Sequence, residues 1–320
     1  MSALLKTLGG VMAAGVAGVA YAGLVERNLF TLRRFDVPVL PAGSQPVRIL
    51  QVSDLHLTPG QRRKIEWVRA LAELAPDFVV NTGDNLGHLE AVPPLLRAME
   101  PLMDFPGAFV LGSNDYYAPT PKNPARYLTR RYAEAPSGRL DLPVGELVTG
   151  LGARGWADLD NARTLVDIAG LPVELVGVND PHIKRDRYAA VSAPASPDAA
   201  LTVGLVHAPY QRVLDAMAAD GASLVIAGHT HGGQLALPIY GALVTNCDLD
   251  TSRAKGLSRW WPGAGTAGPG GAAARSTAAP EDAAYLHVSA GLGTSPYAPV
   301  RFACRPEATL LTLTARDAAA

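Results

Sequence analysis

Five short clusters in this chain bring together the side chains that bind metal ions. They are Asp54-Leu55-His56, Gly83-Asp84-Asn85, Gly112-Ser113-Asn114-Asp115, His207 within Leu205–Tyr210, and Gly228-His229-Thr230-His231. Four of the seven histidines fall inside them, which scattered packing histidines would not do. Carboxylate, amide and imidazole donors without thiolate suit Mn, Fe or Zn, and they argue against a structural zinc site. Two such ions about 3.5–4 Å apart, bridged by a carboxylate, can hold a hydroxide in line with a phosphorus atom while clamping its oxygens. Phosphate esters hydrolyse very slowly unaided, so the ions are the natural source of nucleophile and charge neutralisation. In an extended strand residues i and i+2 share a face. Asp54 with His56, and His229 with His231, are therefore expected to aim pairs of ligands at one point. An isolated Asp-x-His is usually a surface or hydrogen-bonded pair. Five clusters in order, each after an apolar run, carry the metal-site reading.

The elements that must position these residues are legible as apolar runs. Val47–Val52, Phe78–Val80 and Ala108–Leu111 each have strand length and each end in a polar cluster, with helical spacing between them over 62–74 and 94–103. That is the pattern of a parallel β/α sheet whose strand C-termini carry the site. Residues 163–178 read as two strands around a turn at Gly170-Leu171-Pro172. Leu201–Val206, Leu224–Ala227, Tyr285–Ser289 and Thr309–Leu313 are further strands. Residues 262–284 are low-complexity and read as a flexible loop, and 37–46 (VPVLPAGSQP) as a linker before a domain over 47–315.

The N-terminus has its own signal. Thr7 to Val25 is a run of 19 uncharged residues, about the ~20 that cross a bilayer as a helix. Residues 1–36 are expected to form a single-pass cell-membrane anchor. The alternative is an exported protein cleaved after Ala20-Tyr21-Ala22, a small-residue signal site, though the apolar run is longer than a usual signal core. Arg27, Arg33 and Arg34 after the run favour a cytoplasmic catalytic domain. The balance of 28 basic and 29 acidic residues leaves no basic footprint for nucleic acid. Cys247 and Cys304 form no CxxC and can pair or stay free.

Other residues have milder expectations. His182, in Asn179-Asp180-Pro181-His182, is first a loop histidine and second a group able to reach the site. His88 reads as a helix-start residue and His287 as core. Arg301 reads as a surface ion-pair partner before a phosphate binder. Trp260 and Trp261 read as packing residues before lipid contacts.

Taken together, DLH, GDN, GSND, the His of LVHAP and GHTHGGQ resemble the calcineurin-like metallophosphoesterase family over about residues 46–315. GHTHGGQ and the late VSAGLGTSPYAPVRF segment resemble its bacterial, often membrane-linked branch. The resemblance implies a four-layer α/β/β/α sandwich following the N-terminal hydrophobic helix, and hydrolysis of a phosphomonoester or phosphodiester. It further implies two divalent ions, with Asp54, His56 and His231 on one, Asp84 bridging, and an Asn, His207 and His229 on the other. The family usually reads G-N-H-[DE]. Here a gap-free match puts Ser113 at the Asn and Asn114 at the His. Asn114 is the favoured ligand, because an amide oxygen suits a hard cation better than a hydroxyl. The usual histidine is missing either way. That loss is the ground for an alternative reading, a catalytically degenerate metal-binding scaffold. A membrane lipid or cell-envelope phosphate ester is a narrower expectation for the substrate, resting on the anchor.

Overall fold

The computed structural model describes residues 3–121, 141–265 and 279–316. Two six-stranded sheets stand face to face. The first runs β1 (Thr31–Leu40), β14 (Glu307–Ala315), β2 (Val47–Val52), β3 (Phe78–Asn81), β4 (Gly107–Phe109) and β5 (Ala157–Asp158). The second runs β12 (Gly256–Trp260), β13 (Ala284–Val288), β9 (Leu224–Ala227), β8 (Leu201–Val206), β7 (Leu171–Val178) and β6 (Ala162–Ile168). Strands β2 to β5 are parallel, as are β7, β8, β9 and β13. All of these strand C-termini therefore open towards common ends of the two sheets.

Side-chain alternation explains the layering. In β2, Leu50 and Val52 join a core with α2 (Arg62–Ala70), α3 (Val92–Met99) and α5 (Val144–Gly152), whose contributors include Ile65, Val68, Leu95, Met99, Leu147 and Leu151. Val47 and Ile49 face the other way, into a second core shared with Val203 and Leu205 of β8 and Leu224 and Ile226 of β9. The outer face of the second sheet packs Val206, Val225 and Leu286 against Val213, Leu214 and Met217 of α6 (Gln211–Ala219). Strands buried on both faces read as near-continuous apolar runs, as these do. The result is the α/β/β/α arrangement.

Two boundaries differ from expectation. The linker assigned to 37–46 is half strand, because β1 continues to Leu40 and buries Val37, Val39 and Leu40. Its proline disguised it. Pro38 donates no N–H, yet β1 lies at a sheet edge and pairs with β14 alone, with a register shift between Pro38 and Leu40. β1 thus runs through the first residues of the expected linker, and removing residues 1–36 would cut that strand in two. The low-complexity stretch is the other case: residues 266–278 of the expected loop lie outside the described residues, and Ala284 already begins β13.

The apolar N-terminal run is helical, as α1 (Ala3–Ala20) and then a wider turn over Tyr21–Val25. Among the described residues one helix, Thr7–Asn28, is long and apolar enough to cross a membrane, a test a signal sequence also passes. Its base is stitched to the domain. The Arg301 backbone N–H donates to the Ala22 carbonyl at 3.1 Å, and the buried Glu26 carboxylate accepts from Ala303 and Cys304 N–H at 3.1 and 2.6 Å.

Candidate metal centre

The candidate ligands lie just beyond strand ends. Asp54 and His56 follow β2, Asp84 follows β3, His207 follows β8, and His229 and His231 follow β9. Convergence does not come from strand alternation, as the i, i+2 argument supposed. Asp54, His56, Asp84, His229 and His231 all have positive φ, between 39° and 70°. The left-handed region costs non-glycine residues of the order of 1–3 kcal/mol each, so the surrounding bonds must hold them there. They do. Asp54 and His56 N–H groups donate to the carbonyls of Gly83 and Asp84, which ties the two loops together. Asp115 accepts from the N–H groups of Asp84, Asn85 and Gly112 and clamps the third loop to the second. Glycine is required where loops meet most closely. A side chain at Gly112 would strike Asp84 Oδ1 and His207, and one at Gly228 would strike Ser53 Oγ and Asp54 Oδ2.

Four of the expected residues form one tight group. A ligand atom from each of Asp54, His56, Asp84 and His231 lies within 4.8 Å of every other. His56 Nε2 and His231 Nε2 face each other at 3.1 Å, His56 Nε2 is 3.5 Å from Asp84 Oδ2, and His231 Nε2 is 3.6 Å from Asp54 Oδ1. Ligands bound at about 2.1 Å and at right angles stand ~3 Å apart, so this donor set fits one divalent cation. Asp84 then turns its other oxygen to the second group. Asp84 Oδ1 is 3.5 Å from His207 Nε2, which is 3.3 Å from His229 Nδ1. Backbone carbonyls orient both rings. His207 Nδ1 meets Thr82 O at 2.7 Å and His229 Nε2 meets Asn246 O at 3.2 Å. A carbonyl can only accept, so each bond puts the ring proton on the far nitrogen and leaves the inward one its lone pair.

The electrostatics agree with cation binding. Burial, against the attraction of Asp84, lowers His56 to about 4. Burial and neighbouring cationic groups hold His229 and His231 well below the usual histidine range. Neutral imidazoles are ready ligands. Burial opposes a charge on His207 as well, but the nearby carboxylates of Asp84, Asp180 and Asp54 raise it well above its usual range. Burial raises Asp54 to about 6, although Ser53 Oγ donates to its Oδ2 at 2.5 Å.

The third loop carries both Ser113 and Asn114 at the edge of the site. Asp115 is the residue of this loop that accepts from Asp84, Asn85 and Gly112 N–H, with Ser113 and Asn114 between it and Gly112. Asn114 touches Asp84 Oδ1 through its backbone N–H at 2.6 Å, while its amide is within 3.4 Å of Ser113 Oγ and 3.5 Å of Tyr117 O. Its side-chain oxygen accepts from Ser113 Oγ and its amide nitrogen donates to Tyr117 O.

His182 is brought to the site. Its ring centroid is 4.6 Å from that of His229, and its Nδ1 is 3.1 Å from Tyr210 Oη. Arg301 departs furthest from expectation. It is fully buried rather than a surface partner, with Nη2 donating to the carbonyls of Ala290, Gly291 and Gly293 and lying 3.3 Å from His231 Nδ1. Nothing in its sequence neighbourhood signals that burial. Trp260 is buried with its N–H on Asp215, His287 is buried against Gln51, and His88 is an exposed turn residue before α3. Cys247 and Cys304 are free and buried. Asp180 was not singled out by sequence. It is fully buried, and burial raises it to about 7 despite the nearby His207. The signal existed, since β7 is another apolar run that ends in a polar pair, Asn179-Asp180.

Comparison with known proteins places this geometry. Residues 47–233 match the calcineurin-like phosphoesterase family. The chain is 25% identical over 327 residues to the uncharacterized metallophosphoesterase YkuE of Bacillus subtilis strain 168, covering 97% of this chain and 96% of that protein. Among solved structures it is similar to a 5'-nucleotidase precursor from Thermus thermophilus, with TM-score 0.39, 13% identity, and 84% and 55% of the two chains covered. It is also similar to TT1561 of the same organism, with TM-score 0.38, 13% identity, and 78% and 91% covered. With the match reaching from β2 through the last of the clustered histidines, the chain belongs to the calcineurin-like phosphoesterase family and is a hydrolase of phosphate esters.

Proposed function

We propose that the chain hydrolyses a phosphomonoester or phosphodiester with two divalent ions, one held by Asp54, His56 and His231, the other by His207 and His229, with Asp84 between them. The observation that carries this is Asp84 itself. Its two oxygens each lie 3.5 Å from an imidazole nitrogen, one in each half. Bound ions of this kind supply a nucleophile and neutralise phosphate charge. The chain's own residues do the rest. Thr82 and Asn246 carbonyls aim the imidazoles of His207 and His229, Ser53 orients Asp54, and Asp115 keeps the Gly112–Asn114 backbone against Asp84. Mn, Fe and Zn all suit these donors. Purified protein reconstituted with Mn should carry close to two ions per chain and turn over aryl phosphates or aryl phosphodiesters. Turnover should stop on chelation and return with Mn. A firm value of one ion removes the dinuclear reading. Two ions without turnover on any ester, lipid phosphates and cyclic nucleotides included, favours the degenerate scaffold.

A membrane-presented substrate is the narrower reading, and a specific surface favours it. The segment after Gln234 folds as a small hairpin, β10 (Ala236–Leu237) with β11 (Gly241–Ala242), that exposes Leu235, Leu237, Ile239, Tyr240 and Leu243. Leu235 bridges to Phe302, whose ring meets Tyr21 at the base of the apolar helix. That helix also exposes Val11, Met12, Val16 and Val19. Exposed apolar side chains grouped in this way fit an interaction site. Anchoring would hold the hairpin and the neighbouring His231 at the lipid surface. Full-length protein should sediment with membranes after detergent-free lysis. Recovery in the supernatant removes the anchor, and an N-terminus at Gly23 establishes cleavage instead.

A further inference from the structure

In the half of the site around His207 and His229, the position at which the family's asparagine stands is occupied by Ser113, whose side chain is shorter and carries no amide oxygen. We infer that Asp180 supplies the anionic ligand to the second divalent ion in place of that asparagine. The inference rests on the dinuclear reading and concerns which residue completes it.

Topology puts Asp180 in place. Strands β7 and β8 are parallel neighbours with Val178 paired to Val206, so Asp180 and His207 leave the same end of adjacent strands. The segment is tied to the third loop. Asn179 Nδ2 donates to Tyr116 Oη at 2.6 Å and to Asp160 Oδ2 at 2.7 Å, and Tyr116 closes the short helix α4 (Ser113–Tyr116). The Asp180 carboxylate is close enough to the backbone N–H of Ser113 to be stabilised by it, and it stands within electrostatic reach of both Asp84 and His207. The carboxylate therefore arrives beside the backbone of the residue whose side chain it would replace.

The hydrogen bonding of Asp180 is incomplete. Oδ1 accepts from His182 N–H at 2.8 Å, which caps the turn at Pro181–Ile183. Oδ2 is fully buried and has no hydrogen-bond partner among the described residues. A buried unpaired carboxylate oxygen is costly, and protonation does not cure it, because a hydroxyl there would need an acceptor. A cation satisfies it directly, and carboxylate oxygen is the preferred donor for a hard divalent ion. Charge balance agrees. Three carboxylates against two divalent ions, with neutral imidazoles, leave a net positive centre for an anionic phosphate.

The test is a Mn titration of full-length protein, followed by electron paramagnetic resonance and elemental analysis. Wild type should take two ions and show the exchange-coupled signal of a close pair. Asp180→Ala should weaken the second ion about 10- to 100-fold and convert the spectrum to that of isolated Mn, while the first ion binds as before. Asp180→Asn, which keeps the shape and the bond from His182, should weaken it less. Adding Ser113→Asn to Asp180→Ala should restore the second ion, which a purely structural role for Asp180 would not allow. Two ions of unchanged affinity in Asp180→Ala overturn the assignment and leave the dinuclear reading standing. A single ion in wild type overturns both. If Asp180→Ala fails to fold, the Asp180→Asn titration decides, with unchanged second-ion affinity counting against the assignment.

Discussion

The two groups of candidate ligands on either side of Asp84 are built differently. Around Asp54, His56 and His231 the ligand atoms crowd within 4.8 Å, and two of the three side chains are backed by a further layer: Ser53 on Asp54, and Arg301 beside His231. Behind Ser53 a buried chain continues through Thr82 and Gln51 to His287. Around His207 and His229 the imidazoles are hydrogen-bonded by backbone carbonyls, and the third loop offers Ser113 and Asn114. The first half is thus specified by its own side chains. The second depends on what neighbouring segments, 179–182 above all, bring to it. A ligand lost from one loop can be replaced from another when both end at the same place, since a cation reads donor atoms and not their order in the chain.

The largest effect should come from breaking the residue the halves share. Asp84→Asn keeps its size and its bond from Asn114 N–H but loses the charge facing both imidazole groups. Charge stabilisation by the ions amounts to several kcal/mol, so turnover of an aryl phosphate should fall roughly a thousandfold or more. Elemental analysis should show fewer than two ions, with a circular dichroism spectrum like that of wild type. Near-normal turnover would mean that the two groups do not act as one centre.

A smaller effect separates the halves by chemistry. With Asn114 at the family's histidine position, help in protonating a leaving group has to come from elsewhere, and the His182 ring lies against His229 on the second side. His182→Ala should slow alkyl esters about 100-fold while p-nitrophenyl esters, whose leaving group needs no proton, change little. An unchanged ratio between the two substrate classes would make His182 a bystander.

How much of this was legible follows from where the information is stored. Val47–Val52, Leu201–Val206 and Leu224–Ala227 were readable because strands buried on both faces are apolar throughout. The same runs located Asp54, Asp84, His207 and His229 at their ends. β1 was hidden by Pro38, whose cost vanishes at an edge. The left-handed turns at Asp54, His56 and Asp84 were hidden because Asp and His adopt a positive φ only in a minority of cases, and here it is held by their N–H bonds to Gly83 O, Asp84 O and the Asp115 carboxylate. Arg301 and Asp180 were hidden for a related reason. Burial of a charge is a tertiary property, and Arg301 is buried only because three carbonyls of the 290–293 turn happen to surround it.

The smallest effect probes the deep support of the first half. His287 Nδ1 lies 2.7 Å from Gln51 Oε1, so it carries the proton there, while Gln51 Nε2 reaches Thr82 Oγ1 and, through Ser53, Asp54. Burial lowers His287 from the usual 6.5 to about 3. A depressed folded-state value means that the unfolded chain binds the proton first. Its contribution to stability is therefore present above pH 6.5 and is lost as pH falls towards 3, at up to about 1.4 kcal/mol per pH unit. His287→Gln can still donate to Gln51 but does not titrate. Urea unfolding of metal-free protein between about pH 6.5 and 4.5 should show wild type losing more stability than this variant, by about 1–3 kcal/mol across that window. Parallel pH curves would mean that His287 is already charged in the fold, or is paired in a way that burial alone does not describe. Among the described residues no such buried histidine stands behind the His207–His229 group, so in a two-ion centre the same substitution should leave the second ion's affinity unchanged while the first ion's shifts by a few fold.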